Sequence, residues 1–368
     1  MLIGIDASRA VVAQRTGTEN YSLQVIRGLI AAGPEHHWRL YLRQPAPPGF
    51  LPASCGVEHV VLGPRRLWTH LGLAREMLRR PPEVLFVPSH VVPIWHPRGT
   101  VVTVHDLGYR LFPHQHTLGS RLYLDLSTRF SSRVARRVIA DSQSTARDLT
   151  REYGVPPDRI AVIYPGRDET FARADQPQQL AVRERYQLPR PFVLYVGTIQ
   201  PRKNLTRLLE AFARLPETLA GVDMVLAGKT GWLADEIYRR ARELRLEGRV
   251  RFLGYVPDTD LPALLSAAEC FVMPSLYEGF GLPLLEAMAC GTPVLCSNAG
   301  SLPEVAGDAA LQFAPGDVEE LASALARLLS DANLRRELVA RGYRQCARFS
   351  WQRCVREILA VLLEVGRA

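Results

Sequence analysis

Short runs of Val, Ile, Leu and aromatic residues recur along the chain, separated by longer stretches in which apolar residues return every three to four positions. The short runs read as strands buried on both faces and the longer stretches as amphipathic helices, and their alternation predicts βαβ units and parallel sheets. In the first half, strands are expected at LIGIDA, WRLYLR, EHVVLG, VLFVPS, TVVTVHD, RVIADS and IAVIYPG; in the second, at FVLYVGT, DMVLAG, VRFLGYV, CFVMPS and PVLCSN. Helices fill the gaps, for example over residues 204–215 and 235–246. Residues 167–191 interrupt this rhythm with prolines and polar side chains, which places an interdomain linker at 171–190 between domains 1–170 and 191–350. Both halves begin with a strand, a glycine-bearing loop and a helix. Two Rossmann-like α/β halves facing each other leave a cleft at the carboxyl ends of their strands, where ligands bind in such sheets.

A length of 368 residues exceeds what one core usually sustains, which agrees with two domains. Apolar residues at 47% and charged residues at 22% are ordinary for a globular protein. The formal charge of +8 is uneven: residues 1–175 carry 22 Arg against 15 acidic residues, and the remainder 23 basic against 22 acidic. A basic first half suggests an anionic partner: a nucleic acid, an acidic membrane surface or a phosphorylated substrate. Six cysteines without CxxC pairing, most in apolar surroundings, read as reduced buried thiols. The amino terminus runs straight into a strand with no signal-peptide pattern, and no apolar run approaches the ~18 residues that span a bilayer. The expected location is cytoplasmic, with peripheral contact at the inner face of the membrane.

Several motifs fail on inspection. GKT at 228–230 resembles the tail of a P-loop, but the preceding glycine would fall on Asp223. GFGLPL lacks the third glycine of a dinucleotide fingerprint. Asp258 and Asp260 form an Asp-x-Asp just before a helical stretch, where aspartate is expected as a cap. The histidine pairs at His36 and His114 lack partners at ligand spacing, and no metal is implied.

YEGFGLPLLEAMACGTPV, residues 277–294, reads differently. It follows a buried strand as a loop and then opens a helix with Pro283 as its expected first residue, leaving Glu278 at the cleft mouth and Glu286 a turn or so below. Gly279 and Gly281 permit close backbone approach, and the helix start offers N–H groups to an anion. The blander reading is a surface Glu278 and a helix-dipole partner in Glu286. A second loop, YVGTIQPRKN, places Arg202 and Lys203 at another helix start, and two such cations can neutralise a phosphate pair. Lys203 is one of two lysines against 43 arginines.

VGTIQPRKNL, GYVPDTDL, PSLYEGFGLPLLEAMACGTPV and GSLPEVAGDAALQFAPGD, in this order, resemble the retaining glycosyltransferases of family 4, which have the GT-B fold. GTENYSLQVIRGL, VVTVHDL and VIADSQSTARDL extend the resemblance over nearly the whole chain, closest to bacterial mannosyltransferases that use GDP-mannose in surface polysaccharide synthesis. The resemblance implies that Glu278 contacts the donor sugar and Glu286 the ribose hydroxyls. It implies that Lys203 and Arg202 hold the diphosphate, and that Phe280, Gly281 and Leu282 present backbone amides to sugar and phosphate. Gly17 is implied to approach the phosphates, His105 to lie near the donor sugar, and the Val256 backbone to read the nucleobase. Many members carry Arg directly after the strand-end glycine, Gly197, where this chain has Thr198, and the usual double glycine of the first loop is Gly17-Thr18. The implied chemistry is metal-independent hexosyl transfer from a nucleotide diphosphate-sugar, GDP-mannose or a UDP-sugar, to a glycan or lipid-linked acceptor, with no cofactor. A C-terminal helix at about 351–368 is implied to cross back to the first domain.

Two other classes compete. A glycoside hydrolase also pairs carboxylates but needs no basic diphosphate pocket. A nucleic-acid-binding protein would suit the charge, but the arginines are scattered and lack an aromatic platform, so no nucleic-acid partner is expected. RRLWTHLGLAREMLRR, residues 65–80, reads as a helix with Leu67, Trp68, Leu71, Ala74, Met77 and Leu78 on one side and arginines mostly on the other. It would either lie on an anionic membrane or pack on the first sheet.

Overall fold

The computed structural model describes residues 1–12, 17–52, 55–64, 66–113 and 118–367; Arg65 and His114 lie outside them. The chain forms two units, Met1–Gly166 with Ser350–Ala368, and Arg167–Phe349.

In the first unit, β1 (Leu2–Asp6), β2 (His37–Leu42), β3 (Val57–Val61), β4 (Val84–Val87), β5 (Thr100–Val104), β6 (Arg137–Ala140) and β7 (Ile160–Val162) form one sheet in the order β3-β2-β1-β4-β5-β6-β7. Every pairing is parallel, with Ile3 beside Trp38 on one side and Val84 on the other. Successive β4 residues serve opposite layers, as the two-residue period of a strand requires. Val84 and Phe86 join the core under helices Gly17–Ala32 and Trp351–Arg367, whereas Leu85 and Val87 join the layer containing Trp68, Met77 and Leu149. The C-terminal helix is thus part of the first unit.

In the second unit, β8 (Phe192–Val196), β9 (Asp223–Ala227), β10 (Val250–Gly254), β11 (Cys270–Met273), β12 (Val294–Ser297) and β13 (Ala310–Phe313) form a parallel sheet in the order β10-β9-β8-β11-β12-β13. The order reverses between β8 and β11, so the loops leaving these two strands diverge and open a crevice at their carboxyl ends.

All twelve expected strands are present; β13 is the addition, a four-residue edge strand interrupted by Gln312. Residues 167–191 belong to the second unit and contain a helix, Gln176–Arg185, started by a capping box in which Asp175 and Gln178 exchange hydrogen bonds. Asp260 precedes the helix Leu261–Ser266 but does not cap it; its carboxylate instead accepts two bonds from Arg185 and one from Tyr186. Pro283 is the second residue of its helix, after Leu282. The helix expected over 204–215 is Leu205–Ala213, preceded by a separate 3₁₀ turn at Pro201–Lys203, and the one expected over 235–246 is Asp235–Glu243.

The expected single apolar face over 65–80 does not exist. A five-residue π-helical turn at Thr69–Leu73 rotates the side chains before the helix Ala74–Arg79, so Trp68, Ala74 and Met77 are buried on the sheet while Leu67, Leu71 and Leu78 face outward.

Gly166 lies where the chain leaves the first unit, directly against its point of return: a Cβ there would overlap backbone atoms of Ser350 and Trp351. Because backbone cannot rotate aside as a side chain can, Gly166→Val is expected to destabilise the fold by roughly 1–3 kcal/mol, read from the denaturant midpoint. Gly221→Ala, which meets open space, is the control and should stay within about 0.5 kcal/mol of the parent.

Candidate active site

The loops leaving β8 and β11 meet. β8 is followed by Gly197, whose φ of 154° suits glycine, and the loop then carries Thr198, Arg202 and Lys203. Gly228, after β9, packs directly on the Gly197 carbonyl, so any side chain there would separate the two strand ends. Asn204 closes the loop in the left-handed region at φ 58°, and its side-chain amide donates to the carbonyls of Pro274 (3.0 Å) and Pro315 (2.8 Å). Leu276 N–H donates to the Arg202 carbonyl at 2.9 Å, which ties this loop to the one after β11.

Glu278 sits at the junction. Lys203 Nζ donates to its Oε1 at 2.5 Å, and Arg202 Nη1 donates to its Oε2 at 3.3 Å and to the Tyr277 carbonyl at 2.5 Å. Glu278 is not at an open mouth; it is only 7% exposed. Burial alone would raise its carboxyl, but the Lys203 and Arg202 charges, with the hydrogen bond from Lys203, hold it below its ordinary range. Its backbone is fixed as well. The Ser301 N–H and hydroxyl both donate to the Glu278 carbonyl, and the hydroxyl also reaches the Phe280 carbonyl at 2.8 Å. Gly300, at φ 60°, lies so close to the Glu278 backbone that no side chain fits.

Phe280 is buried edge-on to Phe349, and Gly281, at φ 105°, is the cap residue before the helix Leu282–Ala289. Glu286, on the second turn, retains some exposed surface, yet its carboxyl is deep enough that desolvation, reinforced by Asp168 and Asp258, pushes it up to about 8. Val256 is buried just beyond β10, and the neighbouring Tyr255 ring lies 5.1 Å from the Lys229 ammonium. Among the described residues, no three His, Cys, Asp or Glu side chains converge as metal ligands.

Gly17 and His105 belong to the first unit. Gly17 opens its helix and is exposed. His105 follows β5, buried under Tyr21, with Nδ1 2.5 Å from Asp141 Oδ2 and Nε2 3.0 Å from the Pro88 carbonyl. A carbonyl only accepts, so Nε2 carries hydrogen, and the carboxylate requires hydrogen on Nδ1 as well. Burial lowers the imidazole's affinity for a proton, but Asp141 and these bonds outweigh it and the pKa rises. His105 is therefore an imidazolium with both protons already committed.

The structure thus joins Arg202, Lys203 and Glu278 directly, and places Thr198, Phe280, Gly281 and Leu282 on the same two loops. Sequence reasoning assigned no role to Asn204, Ser301, Asp141 or Asp168, and read Asp258 only as part of a helix cap. The first two lie inside quoted motifs, but their work is done through backbone carbonyls, which no side-chain pattern announces.

A family model described as Glycosyl transferases group 1 matches residues 179–345, and one described as Glycosyltransferase Family 4 matches residues 15–171. The chain is 39% identical over 261 residues to O-antigen chain mannosyltransferase B of Escherichia coli, an alignment covering 70% of this chain and 68% of that protein. It is 36% identical over 274 residues to the serotype-specific mannosyltransferase WbdA of Escherichia coli, covering 72% of this chain but 33% of that one. Among solved structures it is similar to a sucrose-phosphate synthase from Thermosynechococcus elongatus, at 25% identity and a TM-score of 0.77 over 100% of this chain and 97% of the other. It also resembles HepE of Anabaena, solved with UDP and glucose, at 20% identity and a TM-score of 0.76 over 99% of both chains. The loops that converge where the sheet order reverses therefore lie in a chain that belongs to the family 4 glycosyltransferases, the glycosyl transferases group 1, with the two Rossmann-like domains of the GT-B fold.

Proposed function

We propose that this glycosyltransferase moves a mannosyl residue from GDP-mannose to a glycan or lipid-linked acceptor in surface polysaccharide synthesis, retaining anomeric configuration and using no metal ion. The observation that carries the reading is the pair of cations, Arg202 and Lys203, held on a buried carboxylate where the second sheet reverses order. The choice of mannose is supported by the mannosyltransferase names of the relatives above; a UDP-linked hexose is the alternative donor.

As the glycosidic bond breaks, charge grows on the leaving diphosphate. Lys203 and Arg202 stabilise it from fixed positions, aided by backbone N–H groups of Phe280, Gly281 and Leu282 at the helix start. Thr198 occupies the position next to Gly197 on the same loop, which leaves Arg202 to supply the guanidinium. Glu278 is ionised and pre-positioned, so it orients sugar hydroxyls by accepting from them. Glu286, protonated through most of the neutral range, can donate as well as accept toward ribose hydroxyls. The Val256 backbone faces the base, and Gly17 gives its loop room to approach phosphate. His105, with both protons committed, acts as a fixed cation rather than a general base.

Glu278→Ala and Lys203→Ala are each expected to lower transfer by roughly a hundredfold or more while the far-ultraviolet dichroism spectrum stays unchanged, in line with the loss of a positioned charge partner. Parental rates in either variant, with donor and acceptor supplied, would remove the assignment. Donor identity is read by thermal shift: GDP-mannose at 100 times its dissociation constant adds about 2.7 kcal/mol of stability, and UDP-glucose at the same concentration should add much less.

Glu286 gives a pH signature. From its ordinary value of 4.5 to about 8, the unfolded chain releases a proton that the folded chain keeps, so stability falls as pH rises through this window. Glu286→Gln lacks this loss. Its melting temperature should match the parent near pH 4.5 and exceed it by a margin that grows until about pH 8; a constant difference across the range would refute the assignment of a raised carboxyl.

A further inference from the structure

The helix Leu118–Val134 in the first unit is turned inside out. Its buried side chains are Ser127, Thr128, Ser131 and Ser132, whereas Leu118, Leu122 and Leu126, one turn apart, are 80%, 60% and 56% exposed, and Tyr123 beside them is 48% exposed. Three of the four inward hydroxyls are satisfied: Ser131 accepts from Val92 N–H, while Ser127 and Ser132 donate to helix carbonyls. The arrangement is therefore a stable packing of the helix on its sheet, and the leucine stripe is left to something outside the fold. The stripe continues onto the neighbouring segment, because the His70 ring meets Tyr123 edge-on at 6.4 Å and Leu67 and Leu71 beside it are 67% and 50% exposed.

The surrounding charge identifies the occupant. The helix carries Arg121, Arg129 and Arg133, and the neighbouring segment carries Arg66, Arg75 and Arg79. The acids of the same two elements turn inward: Asp125 accepts from Tyr153 and pairs with Arg110, and Glu76 is buried. An apolar stripe edged by arginines, with its carboxylates withdrawn, matches a surface that offers hydrocarbon just beneath negative charge. No helix among the described residues is long and apolar enough to cross a membrane, so contact is by lying on the surface. We propose that Leu118, Leu122 and Leu126 of this helix, with Tyr123, Leu67 and Leu71, dock the first unit on a bilayer rich in anionic lipid. This placement differs from the one expected for residues 65–80, whose Trp68 and Met77 are committed to the core.

The test is co-sedimentation of the whole chain with vesicles of phosphatidylcholine alone, and with vesicles in which about a third of the lipid is phosphatidylglycerol. Binding is expected only to the anionic vesicles. It should fall roughly tenfold or more in the triple variant Leu118→Ser, Leu122→Ser, Leu126→Ser. It should fall roughly thirtyfold in Arg121→Gln with Arg129→Gln. The melting temperatures of both variants should not drop, because the substituted side chains already face solvent. Three results would overturn the proposal: equal binding to neutral and anionic vesicles, parental binding by the leucine variant, or a parental dimer that the leucine variant dissociates while neither protein binds vesicles. The last would assign the face to a second copy of the chain.

Discussion

Glu278 carries a negative charge into a region where it is 7% exposed, and that charge is stable only while Lys203 and Arg202 stay against it. Leaving one partner of a buried pair uncompensated typically costs about 3–5 kcal/mol, a large share of a domain's net stability. The loops after β8 and β11 are consequently locked together, and the local details follow from the lock. Asn204 accepts a left-handed backbone because its amide is anchored twice across the loops. Gly300 must be glycine because Ser301 has to reach the Glu278 carbonyl. Under the proposed function the same pair that holds the loops also faces the donor diphosphate, so folding and the proposed chemistry draw on one constraint.

The two glutamates of the Glu-x7-Glu pattern are alike in sequence and opposite in electrostatics. Glu278 follows a central strand and meets cations from the adjacent strand's loop, which keep it ionised. Glu286 lies on the second turn of the next helix, where burial dominates and its charged neighbours are Asp168 and Asp258, so its proton is retained. A carboxylate pair pushed apart in this way can belong to acid/base chemistry. Here Glu278 is committed to two cations, and the chain belongs to a family of glycosyltransferases, so the separation agrees with the proposed roles, one group orienting hydroxyls and the other exchanging hydrogen bonds with them.

The strands were legible because parallel strands buried on both faces read as unbroken apolar runs, and those runs recur twelve times. β13 escaped because ALQF is short, sits at a sheet edge and includes a polar residue. The helix at Gln176–Arg185 was hidden by prolines and charge, although its capping box, Asp175 with Gln178, stood in the sequence. Residues 65–80 misled for a different reason: a regular 3.6-residue wheel puts their apolar side chains on one face, and a single π turn divides them between core and solvent. Arg202, Lys203 and Glu278 were found individually through chemistry and resemblance, but their direct contact is a product of strand order, which local pattern does not encode.

His105 in the first unit is built on the same logic as Glu278 in the second. Each follows a strand near the centre of its parallel sheet, each is buried, and each has its protonation state fixed by partners that can play only one hydrogen-bonding role. Pro88 and Asp141 can only accept from His105, and Lys203 and Arg202 can only donate to Glu278. These partners favour the cationic form of the first and the anionic form of the second. His90, whose ring lies beside that of His105, is pushed down to about 4 by burial and by the charge on His105, so it stays neutral. Glu286, pushed up to about 8, is a group whose charge responds to modest changes of pH around neutrality.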